Sequence, residues 1–196
     1  MYDPEFDETF TISNPAAVTN AKWWGGEPIW NTLIKNDYLA ACYFWPGSEA
    51  DVQGIRPTYY EAYNGSVSND ARVMGVIDWL LLPASQRPSL VTLYFSTVDD
   101  YGHEYGPASP MMDEALASVD ASISLLVNEL ADNNLLAYTD IILVSDHGMA
   151  GVSDERERYL DDYIDTSLVD IIETSPLASL IPHDSAGIIC SCRVVF

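Results

Sequence analysis

The sequence is poor in basic residues and contains no long apolar run. Eight Lys and Arg stand against 30 Asp and Glu, which gives a formal net charge of −22. Such a surface repels nucleic-acid phosphates, so binding of a nucleic-acid polymer through a basic patch is excluded. No stretch approaches the roughly 20 apolar residues that a membrane-spanning helix needs, so no membrane segment is predicted. If a small phosphate compound is the ligand, bound cations have to supply the positive field.

Cysteine is scarce too, and its three copies do not form a disulfide framework. Cys42 lies in an apolar run, which indicates a buried structural thiol. Cys190 and Cys192 lack the two-residue spacer that is typical of zinc or redox pairs. The segment Met1–Glu5 has neither the basic region nor the apolar core of a signal peptide. Cysteine usage leaves the cellular compartment undecided.

What the sequence does contain is a regular exchange of apolar strands and amphipathic helices. With 196 residues, of which 48% are apolar, the chain is long enough for one sizeable core. Buried strands are predicted at Tyr38–Trp45, Leu90–Thr97 and Ile141–Ser145. Between them, Ser68 is a predicted helix N-cap and Ser109-Pro110 opens the longest helix. This order predicts an α/β fold with a mostly parallel sheet flanked by helices.

Two helices are predicted in more detail. Glu27–Asn36 is a short helix with Pro28 in its first turn. The longest helix ends at Asn133 and carries one apolar stripe at helical spacing. The residues of this stripe that we expect to be buried are Met112, Leu116, Val119, Ile123, Leu126 and Leu130. The stretch around Tyr59 is predicted to be a loop with several aromatic residues.

The third predicted strand ends abruptly in Asp146 and His147. Ligands gather beyond the carboxyl ends of parallel strands, so both side chains stand where a site would form. Neighbours in a regular strand point to opposite faces, and one centre can use both only where the backbone turns. Gly148 is predicted to supply that turn through a positive φ. The alternative interpretation is a loop that merely caps the next segment.

A second acid and imidazole follow the strand before it. Asp99 and His103 are four residues apart and therefore share one side of a helical turn. Carboxylate oxygen and neutral imidazole form a typical mixed ligand set for Zn²⁺. A single such pair is more often structural than metal-binding. Two pairs at the ends of two successive strands point more strongly to a metal site.

These two motifs stand in a wider pattern that resembles a known family. Asp99-x-x-Gly102-His103-x-Tyr105-Gly106-Pro107, followed by Ser145-Asp146-His147-Gly148-Met149, is similar to the nucleotide pyrophosphatase/phosphodiesterase family of the alkaline phosphatase superfamily. Further motifs agree in order: Met1-Tyr2-Asp3-Pro4, Gly26-Glu27-Pro28-Ile29-Trp30, Phe44-Trp45-Pro46-Gly47-Ser48, Tyr63-Asn64-Gly65-Ser66-Val67 and Ser175-Pro176-x-Ala178-Ser179. The resemblance predicts that residues 1–182 are the central part of a phosphodiesterase catalytic domain with an alkaline-phosphatase-like fold. Residues 183–196 are then a divergent tail.

The resemblance implies a site with two zinc ions and a small nucleotide substrate. Asp99 and His103 would bind one zinc, and Asp146 and His147 the other. Paired metal ions of this kind clamp phosphoryl oxygens and activate a nucleophile. The residues that align with the family's nucleotide pocket are Trp45, Tyr63 and Tyr94. Aromatic rings suit such a pocket because bases stack on them. Core packing is the alternative role for these residues.

The resemblance also implies what this chain leaves out. The family's nucleophile, a Thr or Ser, aligns upstream of residue 1, together with one zinc-binding Asp and a phosphate-contacting Asn. The last zinc-binding His aligns downstream, and His183 lacks its His-Gly context. We therefore expect a fragment that carries four zinc ligands and no nucleophile and that is inactive when isolated. Glu49 stands where many members have Asp, a shorter side chain.

Three functions stay open at this point. The first is a metal-dependent hydrolase of nucleotide phosphodiester or pyrophosphate bonds. The second is a phospholipid-type phosphodiesterase of the same family, since related enzymes differ mainly in their pocket loops. The third is a non-catalytic relic used for binding. The family resemblance implies an extracellular protein or a membrane-anchored ectodomain.

Overall fold

The computed structural model describes residues 2–173 and 179–183. These residues pack as two compact units. One unit is Val18–Gly151, and the other combines the described residues up to Ala17 with those from Val152 onward. Both acid–imidazole pairs belong to the Val18–Gly151 unit. The predicted boundary after residue 182 stays a prediction, and Cys190, Cys192 and most of the Ser175–Ser179 motif lie outside the described residues.

The regular elements follow one another in an order close to the predicted one. The strands along the described residues are β1 (Tyr2–Asp3), β2 (Glu8–Thr9), β3 (Ala40–Tyr43), β4 (Tyr59–Glu61), β5 (Leu90–Leu93), β6 (Val169–Glu173) and β7 (Ser179–Pro182). The α-helices are α1 (Pro15–Val18), α2 (Ile29–Ile34), α3 (Asn69–Leu80), α4 (Thr97–Tyr105) and α5 (Pro110–Asp132). Short 3-10 turns lie at Ala21–Trp23, Val52–Gly54, Leu136–Tyr138, Asp154–Arg156, Leu160–Asp162 and Thr166–Leu168.

A parallel three-stranded sheet with the order β4-β3-β5 organises the Val18–Gly151 unit. Cys42 in the central strand stands opposite Tyr60 on one side and Thr92 on the other. The face of β3 that carries Ala40 and Cys42 packs against Trp30 of α2. The next residue, Tyr43, points to the other face and contacts α3. The predicted α/β architecture, a parallel sheet flanked by helices, is confirmed.

Cys42 is the buried structural thiol that its apolar surroundings predict. It is free and has no exposed surface. Burial is the main cause that raises the pKa of its thiol to about 11, while the neighbouring Thr92 hydroxyl acts in the opposite direction. At neutral pH the group is therefore a protonated thiol. It packs as a small apolar side chain in the central strand rather than acting as a nucleophile.

Helix α3 begins where its local sequence predicts. The Ser68 hydroxyl accepts a hydrogen bond from the backbone N–H of Ala71, which satisfies one free donor of the first turn. Val73 and Ile77 on the same side of the helix are buried and pack with Leu130 of α5. This second apolar cluster holds the two helices against each other and against β5.

The predicted strand at Ile141–Ser145 is wrong. The segment has no strand partner among the described residues, and Ile141, Ile142, Leu143 and Val144 are 44, 84, 75 and 67% exposed. The third strand of the sheet is β4, in the stretch predicted to be an aromatic loop. An apolar run has the composition of a strand, but a strand forms only where a neighbour satisfies its backbone groups. The end of the second predicted strand also differs: β5 ends at Leu93, and Thr97 opens α4 instead of closing the strand.

The buried side of α5 also differs from its predicted stripe. Ala115 and Ser122 are buried, whereas Leu116 is 51% exposed. The Ser122 hydroxyl donates to Asp70 Oδ1 of α3 at 2.7 Å, so the helix turns a small polar residue inward. The apolar pattern of the sequence is compatible with burial of either Ala115 or Leu116. Packing against α3 selects the face that carries Ala115.

The second unit contains two small antiparallel pairs. β1 pairs with β2, and β6 pairs with β7. At the end of β7, the His183 ring nitrogen Nε2 lies 2.8 Å from Asp170 Oδ1. His183, which lacks the His-Gly context of the family's zinc ligand, thus contacts an aspartate of the neighbouring strand β6. In the part of the chain that the structure describes, no helix is long and apolar enough to cross a bilayer.

Two leucines of α5 offer a matched test of this packing. Leu130 is 1% exposed, and replacing it by Ala removes buried apolar volume and leaves a cavity. We expect Leu130→Ala to lower the free energy of unfolding by about 2–5 kcal/mol. Leu116→Ala changes the same side chain on an exposed face and should cost less than about 0.5 kcal/mol. Urea denaturation followed by circular dichroism measures both, and equal losses would contradict the observed face of α5.

Candidate active site

Helix α4 carries the first acid–imidazole pair. It starts four residues after β5, and Asp99 and Asp100 lie in its first turn, where the helix dipole favours negative charge. His103 lies one turn further along, and its Nε2 is 3.5 Å from Asp99 Oδ1. The four-residue spacing therefore places both groups on one side of a helical turn, as predicted from the sequence.

The second pair lies in a loop that its own hydrogen bonds shape. The Ser145 hydroxyl donates to the carbonyl of His147 at 2.6 Å, and the His147 N–H donates to Asp146 Oδ1 at 2.9 Å. The turn does not need a positive φ at Gly148, which has none, so that prediction is wrong. Local side-chain bonds from Ser and Asp replace the backbone freedom of glycine.

The His147 ring is oriented by a carbonyl group. Its Nδ1 lies 3.1 Å from the carbonyl oxygen of Gly148. Because a carbonyl oxygen only accepts, a hydrogen bond here places the proton on Nδ1 and leaves Nε2 with a lone pair in the neutral ring. Nε2 faces two carboxylates, with Asp146 Oδ2 at 3.6 Å and Asp99 Oδ1 at 3.9 Å. A cation or a proton between these groups would stabilise the arrangement.

Asp99 is the point where the two pairs meet. Its Oδ1 is buried, and no hydrogen-bond donor reaches it among residues 2–173 and 179–183. The nitrogens of His103 and His147 stay at 3.5 and 3.9 Å from it, beyond good hydrogen-bond distance. A buried carboxylate oxygen without a donor is costly unless another group, such as a metal ion, compensates it. The donor set therefore fits a divalent cation.

The side chains are not, however, closed around a metal position. Within the described ranges, no group of three or more His, Cys, Asp or Glu has the arrangement of a metal site. The four predicted zinc ligands come together as contacting pairs, with Asp99 shared between the two imidazoles. Zinc binding by these residues stays a prediction.

Two of the three predicted pocket aromatics lie together beside the acids. The ring centroids of Tyr63 and Tyr94 are 6.4 Å apart. The pKa of Tyr94 is raised, first by burial, then by the electrostatic interaction with the Tyr63 hydroxyl and by the negative charges of Asp99, Asp146 and Asp100. Tyr94 is therefore close enough to both acid–imidazole pairs to respond to their charge.

Trp45 lies elsewhere in the same unit. It packs against the apolar cluster of Trp30, Ala40 and Cys42. It also lines an open groove of about 320 Å³ together with Trp24. The described part of the chain shows no ring contact between Trp45 and the Tyr63–Tyr94 pair. Its predicted substrate role stays a prediction, and core packing accounts for its observed contacts.

Sequence reasoning missed the residue that supports the aromatic pair. Arg72 of α3 is 2% exposed, and its guanidinium donates to the carbonyls of Tyr94 at 2.9 Å and Val67 at 3.0 Å. It also lies 5.0 Å from the centroid of the Phe44 ring, which packs on Tyr63 at 5.4 Å. One signal was available, because Arg72 occupies the same helical face as the buried valines of α3.

Glu49, which stands where the resemblance places Asp, has a defined contact. Its Oε1 accepts a hydrogen bond from the backbone N–H of Tyr63 at 3.0 Å. The carboxylate thus holds the start of the loop that presents the Tyr63 ring. This contact depends on the backbone of a residue 14 positions away, so no local pattern indicated it.

Comparison with known proteins decides the family. The model of type I phosphodiesterases/nucleotide pyrophosphatases matches residues 1–189. The chain belongs to this family. Venom phosphodiesterase of Naja atra is 42% identical over 166 residues, which are 85% of this chain and 20% of that protein. Human ectonucleotide pyrophosphatase/phosphodiesterase family member 1 is 38% identical over 185 residues, 94% of this chain and 20% of that protein.

A solved structure confirms the alkaline-phosphatase-like fold that the resemblance implies. Murine ectonucleotide pyrophosphatase/phosphodiesterase 5, an inactive variant in complex with AMP, superposes with a TM-score of 0.86 and 32% identity. The similarity covers 94% of this chain and 49% of that one. This family member thus spans about a fifth of the length of the curated relatives it matches and about half of the solved chain.

Replacing Arg72 tests its support of the aromatic pair. Arg72→Met keeps a long apolar stem but leaves the carbonyls of Tyr94 and Val67 without their donor. We expect a loss of about 1–3 kcal/mol in unfolding free energy and a weaker near-ultraviolet tyrosine signal. Arg87→Met removes an exposed guanidinium that also bonds a carbonyl, and it should change stability by less than about 0.5 kcal/mol. Unchanged tyrosine ellipticity in Arg72→Met would contradict the proposed support.

Proposed function

We propose that these residues form part of the active site of a zinc-dependent hydrolase that cleaves nucleotide phosphodiester or pyrophosphate bonds. The observation that carries the proposal is that His103 and His147 both approach Asp99 Oδ1, a buried oxygen that no donor reaches among residues 2–173 and 179–183. Asp146 lies beside His147 in the same cluster. Membership of the phosphodiesterase family supports the reaction class. The AMP complex of the murine relative supports a nucleotide as ligand.

Each side chain has a role in this proposal. Asp99 and His103 hold one zinc ion, and Asp146 and His147 hold the other. With its proton on Nδ1 and hydrogen-bonded to the Gly148 carbonyl, His147 would offer the lone pair of Nε2 to a metal ion, a common arrangement for ligating imidazoles. When bound, the ions would neutralise substrate charge and polarise the phosphoryl oxygens.

The Tyr63–Tyr94 pair favours a nucleotide over a lipid-like phosphodiester. Rings beside the acid–imidazole pairs offer a stacking surface for a base, while Arg72 and Glu49 hold those rings in place. The surface also suits a substrate that arrives with its own cations or meets bound ones, since the chain has a net charge of −22. Relatives named as venom phosphodiesterases and ectonucleotide pyrophosphatases support an extracellular location.

Zinc affinity is the direct test of the ligand set. Two ligands per ion are fewer than the three protein ligands usual in catalytic zinc sites, so the 196-residue chain should bind zinc weakly and only in part. Isothermal titration should show a dissociation constant that rises about tenfold or more in Asp146→Ala. Asp78→Ala, which removes an exposed acid of α3, is the matched control and should leave binding unchanged. Two zinc ions retained after dialysis would show that further ligands exist.

Activity tests the reaction class. A longer family member with these motifs should hydrolyse a nitrophenyl ester of a nucleoside 5′-monophosphate, and Asp146→Ala should abolish the reaction. We expect the 196-residue chain alone to show no appreciable turnover, because the family's nucleophile is expected to align outside these residues. An oriented nucleophile contributes several orders of magnitude to the rate through proximity. The nearby Ser145 hydroxyl is already hydrogen-bonded to a carbonyl. Zinc-dependent turnover by the isolated chain that disappears in Asp146→Ala would mean that a nucleophile lies within these residues.

A further inference from the structure

Gly102 lies in the middle of α4, between the two residues of the first acid–imidazole pair. It is buried, and its missing side chain leaves a notch in the helix surface. A Cβ atom added there would overlap Met149 Sδ and lie 2.8 Å from Met149 Cε and 3.0 Å from Met112 Cε. The thioether of Met149 therefore rests directly on the helix backbone, in a space that exists only because residue 102 is glycine.

Met149 is also the residue through which the exposed segment 141–150 packs against α4. From Ile141 to Gly148 every residue is exposed, and Ala150 is exposed again, whereas Met149 is half-buried. The hydrogen bonds of Ser145, Asp146 and His147 connect the loop to itself. They define its shape but do not attach it to α4. Among the described residues, the long His147–Asp99 contact and the Met149 side chain join the loop to the helix.

We propose that Gly102 and Met149 are positioning residues that set the distance between the two acid–imidazole pairs. Gly102 adjoins His103, and Met149 follows His147 by two residues, so a contact between them transmits directly to both imidazoles. The proposal rests on the proposed function, because it assigns the contact to the same metal-binding groups. Methionine suits the task, since its unbranched thioether can enter a narrow notch that a β-branched side chain could not.

The proposal is testable because Gly102→Ala should affect helix stability and loop attachment in opposite directions. Alanine is a better helix former than glycine, so Gly102→Ala should not lower the thermal stability of the unit. The new methyl group should nevertheless displace the flexible end of Met149 and release the loop from the helix. If Gly102 served packing alone, its substitution would lower the thermal stability of the unit and disturb the site geometry together.

The experiment compares Gly102→Ala, Met149→Ala and the double variant in the full chain. Gly151→Ala is the matched control, since its added Cβ meets nothing within 4 Å. Amide hydrogen exchange of residues 145–149 reports attachment of the loop without any metal. Titration with Co²⁺, followed by its visible absorption, reports the geometry of the pairs, and thermal unfolding reports the fold.

We expect faster loop exchange and about tenfold weaker Co²⁺ binding in Gly102→Ala and in Met149→Ala, with the melting temperature of Gly102→Ala unchanged or raised. The double variant should match Met149→Ala, because without the Met149 side chain the methyl group at residue 102 meets only Met112 Cε, the end of a flexible side chain that can shift slightly.

Gly102→Ala that behaves like Gly151→Ala would overturn the inference, as would additive effects in the double variant or a stability loss parallel to the binding loss. If the unaltered chain bound no Co²⁺, the proposed function would fail. Loop exchange would still decide whether Gly102 and Met149 hold the two segments together.

Discussion

The structure of the Val18–Gly151 unit depends on complete burial of its central strand. Ala40, Ala41 and Cys42 have no exposed surface, because β4 and β5 cover both edges and α2 and α3 cover both faces. Small side chains in β3 allow the helices to approach closely. A strand buried in this way determines where its neighbour β5 ends, and the end of β5 determines where α4 presents Asp99 and His103.

Charge is distributed around the candidate site in an unusual way. The ionisable side chains that lie within ion-pair distance of Asp99 and Asp146 in the described residues are imidazoles, while the buried guanidinium of Arg72 is bonded to carbonyls. The protein therefore uses its buried cation to hold the aromatic pair and leaves the acids without a permanent positive partner. In the proposed function, metal ions complete this balance, and the same ions would offset the charge of a phosphate ester.

The two halves of the site are built on different kinds of structure. Asp99 and His103 lie on a helix that packs along α5, whereas Asp146 and His147 lie on an exposed loop. Loops of this kind are less constrained than the elements that support them, and their geometry depends on few contacts. The Gly102–Met149 contact gains its importance from this contrast, because this apolar side chain packs the exposed loop against the helix.

Local chemistry determined much of this protein at the level of sequence. Ser68 capped α3, Pro110 opened α5, and the spacing of Asp99 and His103 placed them on one side of a helical turn, because each feature involves neighbours within one or two turns. Tertiary structure alone decided the partners of the strands, the inward turn of Ser122 and the approach of Met149 to Gly102. The apolar run at Ile141 has every local property of a buried strand and still lies exposed. Strand pairing and close packing depend on groups that are distant in the sequence, and a local pattern carries no information about whether those groups are present.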